Sequence, residues 1–392
     1  MAEAYDLVIL GGGCAGLSLV MALDAQGGSC PRTLVVESRT HYTNDRTWCF
    51  WKNTAETAPY PSQHLWQTMR VSNAGLSAVL DCERTPYQMV AAQDFYSAAL
   101  TAIDRQPGIE LNLGTTVVGE PTFSGGVWSV CTSTGHLTAR ALVDTRPPRL
   151  PRLDGATLWQ SFYGQEVECS KAVFDPSSLD LMDFLAPDVR DVAFTYVLPV
   201  SPTRALIELT VFGATPLGPA DLAARLGTAL AKRVGDASYA VLRSEHGILP
   251  MGLVDCPSQT DASHVKVGVM AGGARPSTGY AFQRIQRWAV DCAIALHASG
   301  QPMGHRPDPF ALRVMDQIFL NVLRADPLRG GAIFFALFSK ADTARVICFL
   351  SGRAGLFDSL AVIAAMPFLP FLKAAFAMAL GRSRPRQLQR TV

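Results

Sequence analysis

The sequence predicts an α/β protein of the Rossmann type, with an inserted β-sheet domain and a helical C-terminal region. Three observations predict it. The chain opens on strand, glycine-rich turn, helix, strand and acid in close succession. A run of alternating strands fills its middle, and a second glycine-rich turn follows a strand late in the chain. At 392 residues the chain holds two or three domains. The expected division is 1–150 and 247–300 for two parts of one domain, 151–246 for the sheet-based domain and 301–392 for the helical region.

The opening comes first. Leu7-Val8-Ile9-Leu10 is a short apolar run suited to a buried parallel strand. It leads into Gly11-Gly12-Gly13-Cys14-Ala15-Gly16 and a helix-compatible segment, then Thr33-Leu34-Val35-Val36 and Glu37. That is the dinucleotide-binding unit. Gly11 permits the tight turn, Gly13 lets a pyrophosphate approach, and Gly16 lets helix and strand pack closely. Cys14 and Ala15 begin the helix, whose free N–H groups face the phosphates. Glu37 is placed to accept hydrogen bonds from a ribose. A unit this near the chain's start favours FAD flavoproteins over NAD enzymes, by analogy of fold.

Asn44-Asp45-Arg46-Thr47-Trp48-Cys49-Phe50-Trp51 follows. It reads either as a strand edge with core aromatics or as part of a site that Arg46 contributes to. Residues 60–85 have no clear period. A helix is expected from Gln93, and strands over Val127–Cys131 and Leu137–Asp144, with prolines 147, 148 and 151 marking a domain exit. Trp159–Glu168 alternates as a strand does. Phe194–Val200 and Arg204–Phe212 form a hairpin around Ser201-Pro202-Thr203, with a helix over Leu222–Val234. Val265–Met270 is a predicted strand, and its turn carries Gly272, Gly273, Thr278 and Gly279 before a helix through Trp288 and Ile294. Leu356–Leu380 is apolar enough to suggest a membrane span, but Asp358, Pro367, Pro370 and Lys373 interrupt it. With Arg382, Arg384, Arg386 and Arg390 behind it, the stretch suits an interfacial helix held by anionic lipid.

Composition narrows the function. A net charge of +1 argues against nucleic acid as a partner. Charged residues make up 17%, below the roughly 25% usual for soluble domains, which points to a membrane surface or a very apolar ligand. Nine scattered cysteines predict reduced thiols and no metal site. The first residues lack the basic and apolar regions of a signal peptide, so the expected location is cytoplasmic, peripheral on the inner membrane.

Glu208 is out of place inside the apolar strand Ala205–Thr210. If it faces solvent it is ordinary; if it faces a cofactor, burial raises its pKa and makes it a general acid. Gly11–Gly16, Asn44–Trp51, Asp175–Asp183, Phe194–Phe212, Pro250–Gly252 and Arg275–Phe282 occur in the order found in lycopene cyclases. Over nearly its whole length the chain resembles the bacterial FAD-dependent carotenoid β-ring cyclases. The resemblance implies the aromatic-hydroxylase-like flavoprotein fold and lycopene or a related acyclic carotenoid as substrate. It also implies reduced FAD, with NADPH as reductant, in a redox-neutral isomerisation. Glu208 then occupies the position of the family's essential acid. A second acid usually follows; Leu209 stands there instead, so a two-carboxylate relay is not expected at that site. Asp183 and Glu245 are the next candidate acids.

The chemistry is demanding, because a carboxylic acid protonates an alkene poorly. One opposite charge about 5 Å from the cation, at an effective dielectric of about 20, stabilises it by roughly 3 kcal/mol, or about a hundredfold in rate. Two other readings share the glycine turns: a flavin monooxygenase or prenyl-chain reductase, and a non-catalytic lipid carrier.

Overall fold

The computed structural model describes residues 4–28, 30–52, 58–147, 156–252 and 259–380. Prolines 148 and 151 and the four C-terminal arginines lie outside them.

The opening strand Tyr5–Leu10 lies inside a sheet ordered Gln259–Asp261, His264–Lys266, Gly135–Asp144, Tyr5–Leu10, Thr33–Val36 and Ile109–Asn112. It runs parallel to both neighbours. Its side chains alternate between two cores. Leu7 and Ile9 pack with the helices Cys14–Gln26, Ala92–Arg105 and Phe282–Ser299, while Val8 and Leu10 pack against Trp128 and Val130 of an antiparallel meander. Burial on both faces explains the unbroken apolar run.

A second sheet is ordered Tyr239–Met251, Leu158–Cys169, Arg204–Gly213, Asp191–Pro199, Ser178–Phe184, Thr68–Asn73 and Leu76–Asp81. One face is covered by the helix Pro219–Val234, whose Leu222, Leu226 and Leu230 bury against Ile207, Leu209 and Val211. On the other face, Phe194, Leu206 and Phe212 share a core with Leu320, Phe334 and Val346 of the C-terminal helices. A small third sheet joins Thr47–Trp51, Tyr87–Ala91 and His64–Trp66.

Residues 60–85 thus hold three strands, and their missing period has a cause. They are short, and Leu76–Asp81 is a mostly exposed edge. The strand expected over Val265–Met270 is a correction: pairing stops at Lys266 and Val269–Ala271 is a 3-10 turn. Gly268 adopts φ +104°, outside the β region, and ends the strand.

The C-terminal helices are Phe310–Ala325, Gly330–Lys340, Thr343–Leu350, Leu356–Ala365 and Phe368–Ala379. No single described helix is long and apolar enough to cross a membrane. The last two are bent by 113° at Met366 and Pro367.

Candidate active site

The three motif glycines have different jobs. A Cβ at Gly11 would lie 2.5 Å from Thr145 Oγ1, on a backbone with φ +103°, and one at Gly16 would lie 2.1 Å from the Gly11 carbonyl oxygen. Both are required by packing. At Gly13 a Cβ would meet nothing within 4 Å, and Gly13 caps its helix without a side-chain hydrogen bond. The open space and uncapped N–H groups fit a pyrophosphate.

Glu37 is buried, and its Oε2 accepts the Gly12 N–H at 2.8 Å while Oε1 accepts the Arg39 N–H at 2.8 Å. Burial alone would raise its pKa, but the bonds from Arg39 and Gly12 outweigh it and hold the carboxyl below its usual range. Tyr42 and Arg39 each donate to the Gly12 carbonyl at 3.0 Å, which fixes the turn. Burial pushes the Cys14 thiol up to about 12, so the side chain stays protonated, and it packs against the core at the start of the helix.

The late glycine turn adjoins the first. A Cβ at Gly268 would come within 3.9 Å of Ala15 Cβ. The Gly268 N–H donates to His305 Nε2 at 3.1 Å, and Arg284 Nε donates to the Gly273 carbonyl at 3.1 Å. Gly272 and Gly279 adopt φ +91° and +71°, and a Cβ at Gly279 would strike Gln160 Oε1 at 2.4 Å. His305, Arg284, Arg39 and Tyr42 were not visible as site residues, because each acts on backbone distant in sequence.

Thr278, Gly279, Arg46 and Glu208 line one cavity of about 270 Å³. Its walls include Trp51, Phe162, Tyr196 and Leu206. Trp51 Nε1, Gln160 Oε1 and Ser351 Oγ, all from lining residues, are buried without a hydrogen-bond partner among the described residues. A flavin's polar ring edge suits such a set.

The sheet register builds the acid site. Tyr196 pairs with Glu208, Glu208 with Gly164, and Gly164 with Glu245, so four strands place one row on the same face. Gly164 leaves the centre of that row empty: a Cβ there would lie 3.4 Å from Glu208 Cβ and 3.3 Å from Glu245 Cγ. Glu208 is half-buried, but the cavity is what it opens to. Burial, and then the charge of Glu245, push its pKa up to about 8, against a smaller opposing effect of the Thr210 hydroxyl, which donates to Oε1 at 3.0 Å.

Glu245 is itself raised by burial, an effect that Arg243 and Thr47 oppose. Thr47 Oγ1 donates to its Oε2 at 2.9 Å, and Arg243 pairs with it. Leu209, at the position where the resemblance implies that a second acid usually stands, points the other way and is fully buried under the Pro219–Val234 helix. The second carboxylate comes from another strand instead. Asp183 does not line the cavity; burial and Asp180 raise it.

The family described as "Lycopene cyclase protein" matches residues 6–376. The chain belongs to the lycopene cyclase family. The lycopene beta-cyclase of Pantoea ananas is 25% identical over 403 aligned positions, covering 96% of this chain and 99% of that protein. That of Paracoccus sp. is 29% identical over 227, covering 54% of this chain and 57% of that one; the match thus spans little more than half of the Paracoccus protein. Among solved structures, a Cytophaga hutchinsonii flavoprotein/dehydrogenase superposes with TM-score 0.61 at 12% identity, covering 97% and 100% of the two chains. A geranylgeranyl bacteriochlorophyll reductase-like protein of Thermoplasma acidophilum gives 0.58 at 13%, covering 95% and 96%. A halogenase, PltM, in complex with FAD gives 0.60 at 13%, covering 98% and 93%. These likenesses establish the flavoprotein fold.

In this lycopene cyclase family member the Asn44–Trp51 segment has two structural positions. The segment is a core strand: Trp48 and Phe50 stack on Phe282 at 5.3 and 5.0 Å. It is also a cavity wall, through Arg46, Cys49 and Trp51.

Proposed function

We propose that this protein is a carotenoid β-ring cyclase that closes the ψ-end group of lycopene, or of a related acyclic carotenoid, in a redox-neutral reaction. The observation that carries the reading is a carboxyl kept protonated to about pH 8 in an aromatic-walled cavity beside two glycine turns. Glu208 gives its proton to C2 of the end group, leaving a tertiary cation at C1. The C5–C6 double bond attacks C1 and closes the ring, and loss of the C6 proton gives the β-ring. One proton enters and one leaves, so product and substrate are isomers. Ionised Glu208 and Glu245 are the cavity carboxylates that can take the departing proton. The aromatic wall excludes water, which would trap the cation as an alcohol. Gly11, Gly13, Cys14, Ala15, Gly16, Glu37, Arg46, Gly272, Gly273, Thr278 and Gly279 would hold FAD, which in its reduced form supplies a negative charge that stabilises the cation, with NADPH as reductant. The protein sits peripherally on the cytoplasmic face of the inner membrane, as its exposed apolar C-terminal helices suggest.

Glu208→Gln tests the reading. It keeps size and hydrogen bonding but has no acidic proton. Ring formation should fall at least about a hundredfold, the low end of acid–base contributions, with flavin content unchanged. In heavy water the wild-type product should gain one deuterium per ring at C2. Normal cyclisation by Glu208→Gln would move the acid elsewhere, and one NADPH consumed per ring would favour a reductase or monooxygenase.

A further inference from the structure

A second cavity, of about 250 Å³, borders the first, and Thr278 and Leu350 belong to the walls of both. Its remaining lining is apolar apart from Ser277 and Asp316. That acid is neutralised in place. Asp316 pairs with Arg275 at 3.0 Å and accepts the Ser277 hydroxyl at 2.7 Å, and the ion pair is almost wholly buried. No uncompensated charge therefore faces the space.

The bent helix pair Leu356–Ala365 and Phe368–Ala379 forms the outer wall. Ile363, Phe368 and Leu372 line the cavity and are also 43, 68 and 38% exposed. They form a rim open to the outside on an apolar surface. The rim thus opens into a cavity that shares its inner wall, at Thr278 and Leu350, with the cavity holding Glu208.

The geometry points to this second cavity as the entry channel and resting site for the long acyclic isoprenoid chain of the substrate, drawn from the bilayer at the rim. The inference rests on the cyclase reading and adds to it where the rest of the chain lies while one end reacts. A space of about 270 Å³ falls below the roughly 300–1,000 Å³ of sites that enclose drug-sized ligands. The acid cavity encloses an end group, and the polyene needs the second.

Ala375 is half-buried and lines the channel, so Ala375→Trp fills it from the rim. Ala379 is exposed on the same helix and lines neither cavity, so Ala379→Trp is the control. FAD-loaded full-length protein is given lycopene in phosphatidylcholine vesicles, or a short analogue carrying only the ψ-end group. Ala375→Trp, and Ile363→Trp as a second filling variant, should lose at least tenfold in rate on lycopene. Both should keep the wild-type rate on the short analogue and the wild-type flavin content, and Ala379→Trp should match wild type on both. Lycopene should also co-elute with oxidised wild-type protein in size-exclusion chromatography and not with Ala375→Trp. Unchanged lycopene turnover, equal losses on both substrates in both filling variants, or undiminished co-elution overturns the channel. Wild-type protein that retains lycopene but does not cyclise it even with its flavin reduced would instead overturn the cyclase reading and leave the channel standing.

Discussion

An ordinary glutamate ionises near 4.5, whereas burial and Glu245 hold the Glu208 proton to about 8. Between those values the folded protein keeps a proton that the unfolded chain has released, so stability declines as pH rises through that window. Glu208→Gln removes the decline. It should melt above wild type at pH 9 and no higher than wild type at pH 4, by thermal unfolding at each pH. Activity has the same origin, since only the protonated acid can start the reaction, and the rate should fall on the alkaline side near pH 8. Glu245→Gln deletes the negative charge that helps hold the proton, so its alkaline limb should move to lower pH. A limb that stays in place would mean burial alone sets the value.

At the scale of the element, glycine positions separate packing from binding. Gly11 and Gly16 are pinned by Thr145 and by the motif's own backbone, so substituting them damages the turn itself. Gly13 has open space and an ordinary backbone. Gly13→Val should therefore fold with wild-type circular dichroism and lose flavin absorbance on purification; a yellow Gly13→Val protein would remove the pyrophosphate from this turn. The opening motif was legible because its strand, turn, helix and acid are local in sequence. Glu208 was legible as an acid among apolar neighbours. The Glu245 partnership was not, because a register across the Leu158–Cys169 strand, with Gly164 between the two acids, creates it. Leu209, next to Glu208 in sequence, holds no acid, and pleating turns that position to the opposite face. His305 gave no signal either: it acts through one acceptor nitrogen on Gly268, far from it along the chain.

Across the whole molecule, two apolar features share one side: the second cavity and the bent helix pair that walls it. Phe357, Phe368, Leu369 and Phe376 are between 62 and 77% exposed on that pair, an apolar patch that a water-facing surface does not favour. The 113° bend divides the apolar stretch into two helices, neither long enough alone to span a bilayer; the proposed position along the interface predicts how each part contributes to vesicle binding. Two contributions to binding then separate by experiment. Burying one phenylalanine side chain contributes about 1.5–3 kcal/mol, so Phe357→Ser and Phe376→Ser should each weaken sedimentation with vesicles roughly tenfold or more, whatever the lipid charge or salt. Arginines near an anionic surface contribute about 1 kcal/mol each. Deleting the chain after Leu380, which removes Arg382, Arg384, Arg386 and Arg390, should therefore weaken binding on the order of a thousandfold to anionic vesicles at low salt. On neutral vesicles the deletion should change little, and high salt should erase the difference. A truncated protein that binds anionic vesicles as well as the full chain would leave the apolar pair as the sole anchor. Serine variants that bind undiminished would take the pair out of the interface.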